Sequence, residues 1–477
     1  MQSPLGRLST RQRTRTNWVQ FFGSIALIPA GYTVVAALLT DQTPAFAYLF
    51  SLIITSGGAT LFQISKRYEN FPISDIGFTY VGTILLYFLI PTLKFILSGY
   101  EWGLLSDIRL FDVNPSQHQL MPLLFCFLAY TLAFGVSYLK FLQKAHAPTF
   151  ASNTSRTDPN RLFGVLVLLF VFRQVFALTI GASSDYNDKV NSVADQPLIL
   201  RQLYFFLQSV VFGVGLITMV VAVMQYERKR FIFWLVLLVF AVPPVVTLGS
   251  RHEAFTFILL AAILYHCFVK PIATRRLVIG GLILLVTMLV LGFVRSYTDG
   301  GSVLLASTEF EAMFATFYHI NSNGAAASPP WTVYLSDVLS LLPQQLLPFS
   351  KLDPATWYMK EFFPEVAEEN PEVGYGFGVI SEASIGFGIP ELIIRGLLLG
   401  YIFAKMANYF NGRSRNPIFA FVYLFCVITV FRTFRTSSFE LLKSVSFYIV
   451  PGIVFYEFLK KSKRKTRPQI SLENPAA

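Results

Sequence analysis

Long apolar runs separated by short polar connections dominate the 477-residue chain. The runs "LFGVLVLLFVF" from Leu162 and "LVIGGLILLVTMLVLGFV" from Leu277 contain no charged residue. With short flanks, such runs reach the roughly 20 residues that cross a bilayer as a helix. They lack the strict apolar–polar alternation of barrel strands. The pattern therefore predicts an all-α polytopic membrane protein that forms a single membrane domain over residues 1–477.

Basic residues recur in every second connection between the apolar runs, as in "SKRYEN", "YERKR", "KPIATRR" and "KKSKRKTR". Lysine and arginine are enriched in cytoplasmic loops, so these connections are predicted to be cytoplasmic. This arrangement gives about twelve spans and puts both termini in the cytoplasm. The predicted extents are 18–40, 43–64, 74–98, 119–141, 161–180, 199–225, 231–249, 252–269, 277–295, 376–410, 416–431 and 441–458.

The composition agrees with a membrane protein and argues against several other classes. Only 14% of the residues are charged, whereas a soluble protein carries about 25%. The net charge of +11 does not indicate a nucleic-acid partner, because the basic residues lie in the short loops. No cluster has metal-ligand spacing and no Walker A loop occurs, so we expect neither a metal nor another cofactor.

The largest predicted outer connection is residues 296–375, between spans nine and ten. It contains the stretch "TVYLSDVLSLLPQQLLPF" from Thr332, in which leucines recur at helical spacing. Long loops in compact proteins are usually functional. We therefore expect a large loop with short helices and a role in function.

Several arginines are predicted near the outer membrane boundary, where the positive-inside rule does not require them. They are Arg173, Arg251, Arg295, Arg432 and Arg435. Arginine at that depth is unfavourable without a partner, and its guanidinium matches phosphate in a bidentate manner. The set favours a shared anionic ligand such as a pyrophosphate. Alternatively, each arginine extends to lipid headgroups or pairs with an acid such as Glu253 or Glu440.

Two further residues are candidates for acid–base chemistry. Glu382 lies in the glycine-rich stretch "GYGFGVISEASIGFGIPELIIRGLLLGYIFA" from Gly374, directly before an apolar segment. A partly desolvated carboxylate there would suit a general base or orient a sugar hydroxyl. His319 lies in the large outer loop, although a lone histidine more often has a structural role. Glu391 and Arg395 are four residues apart and are expected to pair within one helix.

The stretch "LGSRHEAFTFILLA", followed by the glycine-rich stretch, resembles the Wzy-type O-antigen (oligosaccharide repeat-unit) polymerases. The matching positions are Gly249, Ser250, Arg251, Gly376, Gly378, Glu382, Phe387 and Gly388. Members of that family often carry an aromatic residue and an asparagine before the Phe-Gly pair. This sequence has Ser384, Ile385 and Gly386 there instead, so a role for that asparagine does not carry over.

The resemblance implies a GT-C-like glycosyltransferase in the bacterial inner membrane. Such polymerases transfer a growing glycan from undecaprenyl pyrophosphate to a sugar hydroxyl of a lipid-linked repeat unit, at the periplasmic face. Besides the lipid-linked oligosaccharide and membrane lipid, a chain-length regulator protein is a candidate partner. No nucleotide is required.

On this hypothesis, Arg251 and Arg295 hold the pyrophosphate, and Arg173, Arg432 or Arg435 complete the site. Glu382 or His319 accepts the proton of the attacking hydroxyl. The residues expected to contact the sugars are Tyr375, Trp331 and His252. The expected enzyme is metal-independent.

Two alternatives remain at this point. An O-antigen ligase would use the same chemistry with a different acceptor. A flippase or transporter would also fit about twelve spans, but the chain has no internal repeat and its unusual charges gather at one predicted face.

Overall fold

Helices account for the regular structure, and no strand occurs among the residues described. The computed structural model describes residues 18–39, 42–68, 70–97, 116–143, 158–181, 193, 196–246, 251–298, 309–322, 329–339, 342, 346–369, 377–413, 416–435 and 443–460. The longer helices are α1 (Trp18–Leu39), α2 (Pro44–Ser65), α3 (Ile76–Leu97), α4 (Met121–Phe141), α5 (Pro159–Thr179), α6 (Leu198–Val223), α7 (Tyr226–Val246), α8 (Arg251–Phe268) and α9 (Thr274–Thr298).

The remaining helices include the short ones of the large loop. They are α10 (Glu309–Ser322), α11 (Trp331–Val338), α12 (Pro354–Phe362), α13 (Pro364–Glu369), α14 (Gly378–Ile385), α15 (Ile389–Arg413), α16 (Pro417–Thr429) and α17 (Arg432–Arg435). A π-helical turn, Val445–Ile449, leads into α18 (Val450–Leu459). The predicted 296–375 loop thus contains α10 to α13.

Seven helices among the described residues are long and apolar enough to cross a membrane. They are α1 to α6, together with the stretch Pro417–Phe434 that contains α16. Many of their apolar side chains are exposed, such as Leu168 and Ile199, and contact with lipid accounts for such exposure. The protein is a helical polytopic membrane protein.

One predicted span is wrong. The segment 376–410 is two helices, α14 and α15, separated by a turn at Gly386, Phe387 and Gly388. Gly388 has a φ of +67°, which only glycine adopts readily. The backbone N–H of Phe387 donates to Glu391 Oε2 at 2.8 Å and so caps the start of α15. The apolar run is continuous here, but the backbone reverses direction.

Arg432 and Arg435 lie directly after the predicted span 416–431. Residues Arg432–Arg435 form the helical turn α17, two residues after α16. The side chains of Thr433 and Phe434 are buried, so this turn belongs to the packed bundle.

Helices α4 and α15 pack closely because α15 has glycines at two positions four residues apart. A Cβ on Gly396 would lie 3.0 Å from the carbonyl oxygen of Tyr130, and one on Gly400 would lie 2.7 Å from that of Phe134. Small residues at this spacing let helix backbones approach. At the contact, Ser137 Oγ donates to the carbonyl oxygen of Leu397 at 2.7 Å.

The helix bundle has two ends, here called the loop end and the basic end. The loop end is where α3 finishes at Leu97, α4 starts at Met121 and α15 starts at Ile389. The basic end is where α2 finishes at Ser65 and α4 finishes at Phe141. The basic end takes its name from the basic connections of the sequence.

A buried carboxylate organises the basic end. Asp75 accepts hydrogen bonds from the hydroxyls of Tyr68 and Tyr138 and from the backbone N–H of Phe78. Arg67, also buried, donates to the carbonyl oxygens of Leu139 and Leu142. These bonds fix the α2–α3 connection onto the end of α4, so the basic end is tightly closed around them.

Helix α14 starts in the middle of the bundle. Gly378 has a φ of +68°, and a Cβ there would lie 2.6 Å from the carbonyl oxygen of Phe434. The Phe434 ring lies 5.6 Å from that of Tyr87, near the middle of α3, and 6.2 Å from that of Tyr130. From this depth α14 leads to the turn that precedes α15, so it is a short helix inserted among longer ones.

Candidate functional site

Three segments that the sequence analysis selected pack against one another in the loop-end half of the bundle. They are α10 with His319, α14 with Glu382, and α17 with Arg432, and α17 lies at the middle of the bundle. Ser381 Oγ donates to the carbonyl oxygen of Met313 at 3.3 Å. This hydrogen bond connects α14 to α10. The backbone of Gly378 in α14 also approaches the Phe434 carbonyl of α17 closely, since a Cβ at Gly378 would lie 2.6 Å from that oxygen. The fold thus brings together residues that are 50 or more positions apart in the chain.

Glu382 is 3% exposed and forms an ion pair with Arg395 of α15 at 2.5 Å. The same guanidinium contacts Glu391 at 2.5 Å, which confirms the expected pairing within one helix. Arg395 is six residues after Ile389, or about 9 Å along the helix. Arg395 therefore pairs with both carboxylates at a point inside α15, away from its loop end.

Tyr334 of α11 lies beside this network. Its hydroxyl donates to the carbonyl oxygen of Ile385, at the end of α14. Burial raises the pKa of the Tyr334 hydroxyl, and the nearby Glu391 raises it further, against the opposing effect of Arg395. Tyr334 therefore stays protonated and serves as a hydrogen-bond donor that attaches α11 to the turn before α15.

Two tyrosines, one on α3 and one on α4, border the candidate site inside the bundle. The hydroxyls of Tyr80 and Tyr130 are hydrogen-bonded at 2.5 Å, and Thr433 Oγ1 donates to the Tyr80 hydroxyl at 3.5 Å. Both rings are fully buried. These residues bring polar atoms into the middle of the bundle, next to α17.

His319 lies at the end of α10 in an aromatic setting. Its Nδ1 is hydrogen-bonded to the Tyr358 hydroxyl at 2.8 Å, and its ring lies 5.1 Å from that of Phe362. Burial lowers the pKa of His319 from its ordinary value of 6.5. The imidazole is therefore neutral at pH 7 and able to accept a proton.

A second ion pair attaches α10 to the bundle. Lys94, near the loop end of α3, donates to Glu311 Oε1 at 2.7 Å, and the Glu311 side chain is fully buried. The Phe310 ring of α10 also lies 4.8 Å from the ring of Tyr87, which belongs to α3 like Lys94. These contacts position the helix that carries His319.

Arg432 is half-buried at the start of α17. It donates to Ser444 Oγ at 2.7 Å, and its guanidinium lies 5.6 Å from the ring centroid of Tyr448. Tyr448 belongs to the π-helical turn, an element that often occurs at functional sites. Hydroxyl and π-face together hold the guanidinium beside the α14–α17 contact.

Arg251 is close to this region in the backbone. It is the first residue of α8, one helical turn before Phe255. The Phe255 ring lies 6.3 Å from that of Phe431, the residue before Arg432. The side chains of Arg251 and its neighbour His252 lie outside the described residues, so only the approach of the two helices is established.

The remaining predicted site residues lie apart from these three segments, or their side chains fall outside the described residues. Arg173 lies 6.0 Å from the Tyr204 ring of α6, in a small apolar cluster separate from the main core. Trp331 is 65% exposed and lies 5.9 Å from the Phe349 ring. Tyr375 and the side chains of Arg295 and Arg435 fall outside the described residues. The convergence of all five arginines stays a prediction.

The described residues contain no group of three or more His, Cys, Asp or Glu that could hold a metal ion. The three cysteines, Cys126, Cys267 and Cys426, are buried and free. No family model, no curated protein and no solved structure matches this chain. Support for a function therefore comes from the geometry of the candidate site alone.

Sequence reasoning missed Lys94, Tyr80 and Tyr130 as members of the site. The available signal for Lys94 was a lone cation just inside a predicted span, which usually marks function or a partner. For Tyr80 and Tyr130 no local signal exists, because the chain has 22 tyrosines and most need no special role.

Proposed function

We propose that the protein is a lipid-linked oligosaccharide polymerase of the Wzy type. It would transfer a growing glycan from undecaprenyl pyrophosphate to a sugar hydroxyl of a second lipid-linked repeat unit. The observation that carries this proposal is the packing of the Glu382 and Arg432 segments against α10, the helix of the large loop that carries His319. Carboxylate, imidazole and guanidinium are the groups that such a transfer requires.

The proposal includes a membrane arrangement. We propose about twelve crossings in a GT-C-like bundle, with the loop end on the periplasmic side of a bacterial inner membrane and both termini in the cytoplasm. The basic connections support this orientation, since they would then face the cytoplasm. The large loop, with α10 to α13, would cover the site on the opposite side.

The reaction breaks the bond between the anomeric carbon and the pyrophosphate oxygen and forms a bond from that carbon to the acceptor hydroxyl oxygen. The lipid pyrophosphate leaves with the electron pair, and the hydroxyl proton passes to a base. His319 is the better base, because it is neutral at pH 7 and only partly buried. Glu382, fixed by Arg395, orients the acceptor or the helix that contacts it.

Arg432 would bind the departing pyrophosphate, because a fixed guanidinium stabilises negative charge that develops on oxygen. Arg251 is the next candidate, since α8 approaches α17 through Phe255 and Phe431. Arg295 and Arg435 stay as proposed members of the same site, whereas Arg173 packs on Tyr204 in a separate cluster and is left out of it. Tyr375, Trp331 and His252 stay as proposed sugar contacts. No metal is required in this scheme.

The distribution of buried charge favours an enzyme over a transporter. The buried acids Glu382 and Glu311 both pair in the loop-end half of the bundle. At the basic end, the described carboxylate of Asp75 is enclosed by tyrosine and backbone donors. A transport path would need charged or polar groups that line a route between the two ends.

The test uses a strain that makes this protein's own repeat unit but lacks the gene for this protein. Restored expression should give a ladder of long glycan chains on lipopolysaccharide. Arg432→Ala at equal protein level should leave single-repeat chains only. Arg228→Ala, which removes an exposed arginine at the basic end, is the matched control and should keep the ladder.

Two outcomes would contradict the proposal. Long chains with Arg432→Ala would remove Arg432 from the site. If the strain without the protein attaches no glycan to lipid A core at all, but still accumulates long lipid-linked chains, the protein is the ligase instead.

A further inference from the structure

A strip of exposed apolar side chains runs along α11 and the segment that follows it. Trp331, Leu335 and Val338 are 65%, 37% and 50% exposed, and their spacing puts them on one face of the helix. Leu342 and Leu346 continue the strip at 42% and 69% exposure. In the sequence from 331 to 350, Asp337 is the only charged residue.

The buried face of α11 is held in place, so the helix cannot turn to hide the strip. Val333 is fully buried and Ser336 is 3% exposed. Ser336 Oγ accepts from the backbone N–H of Leu352 at 3.0 Å and donates to the carbonyl oxygen of Thr332 at 2.7 Å. A water-exposed helix normally presents its polar face outward. Here the apolar face is the outward one.

The position of α11 indicates what covers this face. The Tyr334 hydroxyl attaches the helix to the Ile385 carbonyl, directly before the turn at the loop end of α15. Next to it, Phe387 is 86% exposed, and farther along α15 Ile394 and Leu398 are 65% and 56% exposed. Exposed apolar side chains therefore begin two residues after the carbonyl to which α11 is attached, and recur along α15.

We propose that α11, Leu342 and residues 346–349 lie in the bilayer interface at the loop end, with the strip facing the acyl chains. A helix with a pronounced apolar face and a tryptophan at its start is suited to this depth. Lipid, rather than a protein partner, is the occupant favoured by the attachment of α11 to the start of α15, whose own exposed side chains are apolar. The proposal depends on the membrane bundle and not on the proposed enzymatic activity.

This placement gives the large loop a second attachment to the membrane, besides its connections to α9 and α14. The loop helix α10, which carries His319, is attached to the bundle by Lys94 and Glu311. Helix α11 would attach the next part of the loop to the lipid surface. The gap between the two attachments would then lie at the height of lipid headgroups.

Spin-label accessibility tests the proposal in proteoliposomes that contain only this protein. The buried cysteines are first replaced by alanine, and single cysteines are introduced at Leu335 and Val338 for a nitroxide label. Collision rates are measured with oxygen, which concentrates among acyl chains, and with a water-soluble nickel chelate. Lys360→Cys, exposed on α12, is the water reference, and Leu398→Cys, exposed on α15, is the lipid reference.

The oxygen-to-nickel collision ratio should be several-fold higher at Leu335 and Val338 than at Lys360, and should approach that at Leu398. A ratio equal to that at Lys360 would mean that the strip faces water and would overturn the proposal. Exclusion of both reagents would mean that protein covers the face and would also overturn it. Val333→Cys, on the buried face, shows what such exclusion looks like. Each variant is first checked by its unfolding midpoint, and the two strip positions give independent results.

Discussion

Arg395 holds Glu382 and thereby fixes α14 against α15, across a turn that contains two glycines. The same guanidinium contacts Glu391 in its own helix, so three charged groups share one place in the bundle. Glu382 is almost completely buried. The position of α14, and with it the contacts to α10 and α17, depends on this arrangement.

Arg395→Gln should destabilise the protein strongly, because it leaves the buried Glu382 carboxylate without its cation. Removing one partner of a buried pair costs about 3 to 5 kcal/mol. Since Arg395 is 23% exposed, we expect a loss nearer about 2 to 4 kcal/mol after solvent screening. The double variant Arg395→Gln with Glu382→Gln should lose less than the sum of the two single changes. The free energy of unfolding in detergent is the measurement.

Glu457→Gln is the matched control for this prediction. It removes an exposed ion pair with Lys460 at 2.8 Å, and such pairs contribute about 0 to 1 kcal/mol. If Arg395→Gln and Glu457→Gln changed the unfolding free energy equally, the proposed dependence of α14 on Arg395 would be wrong.

The close contact of α4 and α15 predicts opposite effects for two glycine-to-alanine changes. Gly400→Ala would place a methyl group 2.7 Å from the Phe134 carbonyl oxygen and should lower the unfolding midpoint. Gly281→Ala on α9 meets nothing within 4 Å, and should raise the midpoint slightly, since alanine favours helix over glycine by about 1 kcal/mol. Equal effects at both positions would show that the α4–α15 backbones are farther apart than described.

The lowered pKa of His319 predicts the pH dependence of glycan transfer. A base must be neutral to accept a proton, so the rate should be constant above pH 6.5 and fall only as the pH drops through the folded-state pKa, below 6.5. His319→Gln should lower the rate by about 10²- to 10⁴-fold and remove that acid limb. A rate profile unchanged by His319→Gln would assign the proton to another group, with Glu382 the next candidate.

The same shift predicts a change in stability with pH. Above pH 6.5 the imidazole is neutral in the folded and unfolded states, so it contributes no pH dependence. As the pH falls below 6.5, the unfolded chain binds the proton more readily than the folded one, and stability decreases until the folded-state pKa is passed. The stability of His319→Gln should depend less on pH below 6.5. An identical dependence in both proteins would mean that His319 is not shielded from water.

Arg432 and Arg173, two of the arginines selected from the sequence, should differ in their effects. Replacing Arg432, which lies beside the α14–α17 contact, by alanine should lower the rate of the proposed glycan transfer by about 10²- to 10³-fold. Arg432→Lys should restore only part of the rate, because lysine keeps the charge but not the bidentate geometry. Arg173→Ala should have a small effect, since Arg173 packs on Tyr204 in a separate cluster. The transfer rate with the lipid-linked substrate measures all three, and an equal loss for Arg173 and Arg432 would contradict the assignment.

The helices were largely predictable because long apolar runs fix them locally. The boundary between α14 and α15 was not predicted, since the run through "GVISEASIGFGIPELII" stays apolar while Gly388 reverses the chain. Gly388 followed by Pro390 was the signal for it. For the site, local pattern selected Glu382, His319 and Arg432 individually. It could not supply the partner of Glu311, because Lys94 is 217 residues away, and such pairing depends on tertiary packing.

The most direct test of the account is an assay of the purified protein in liposomes with one substrate, the undecaprenyl-pyrophosphate-linked repeat unit. We predict lipid-linked products of two, three and more repeat units, with no nucleotide or lipid A core added, and almost none with Arg432→Ala. If the wild-type protein, folded by its unfolding midpoint, leaves the single repeat unit unchanged, the proposed polymerase activity is wrong.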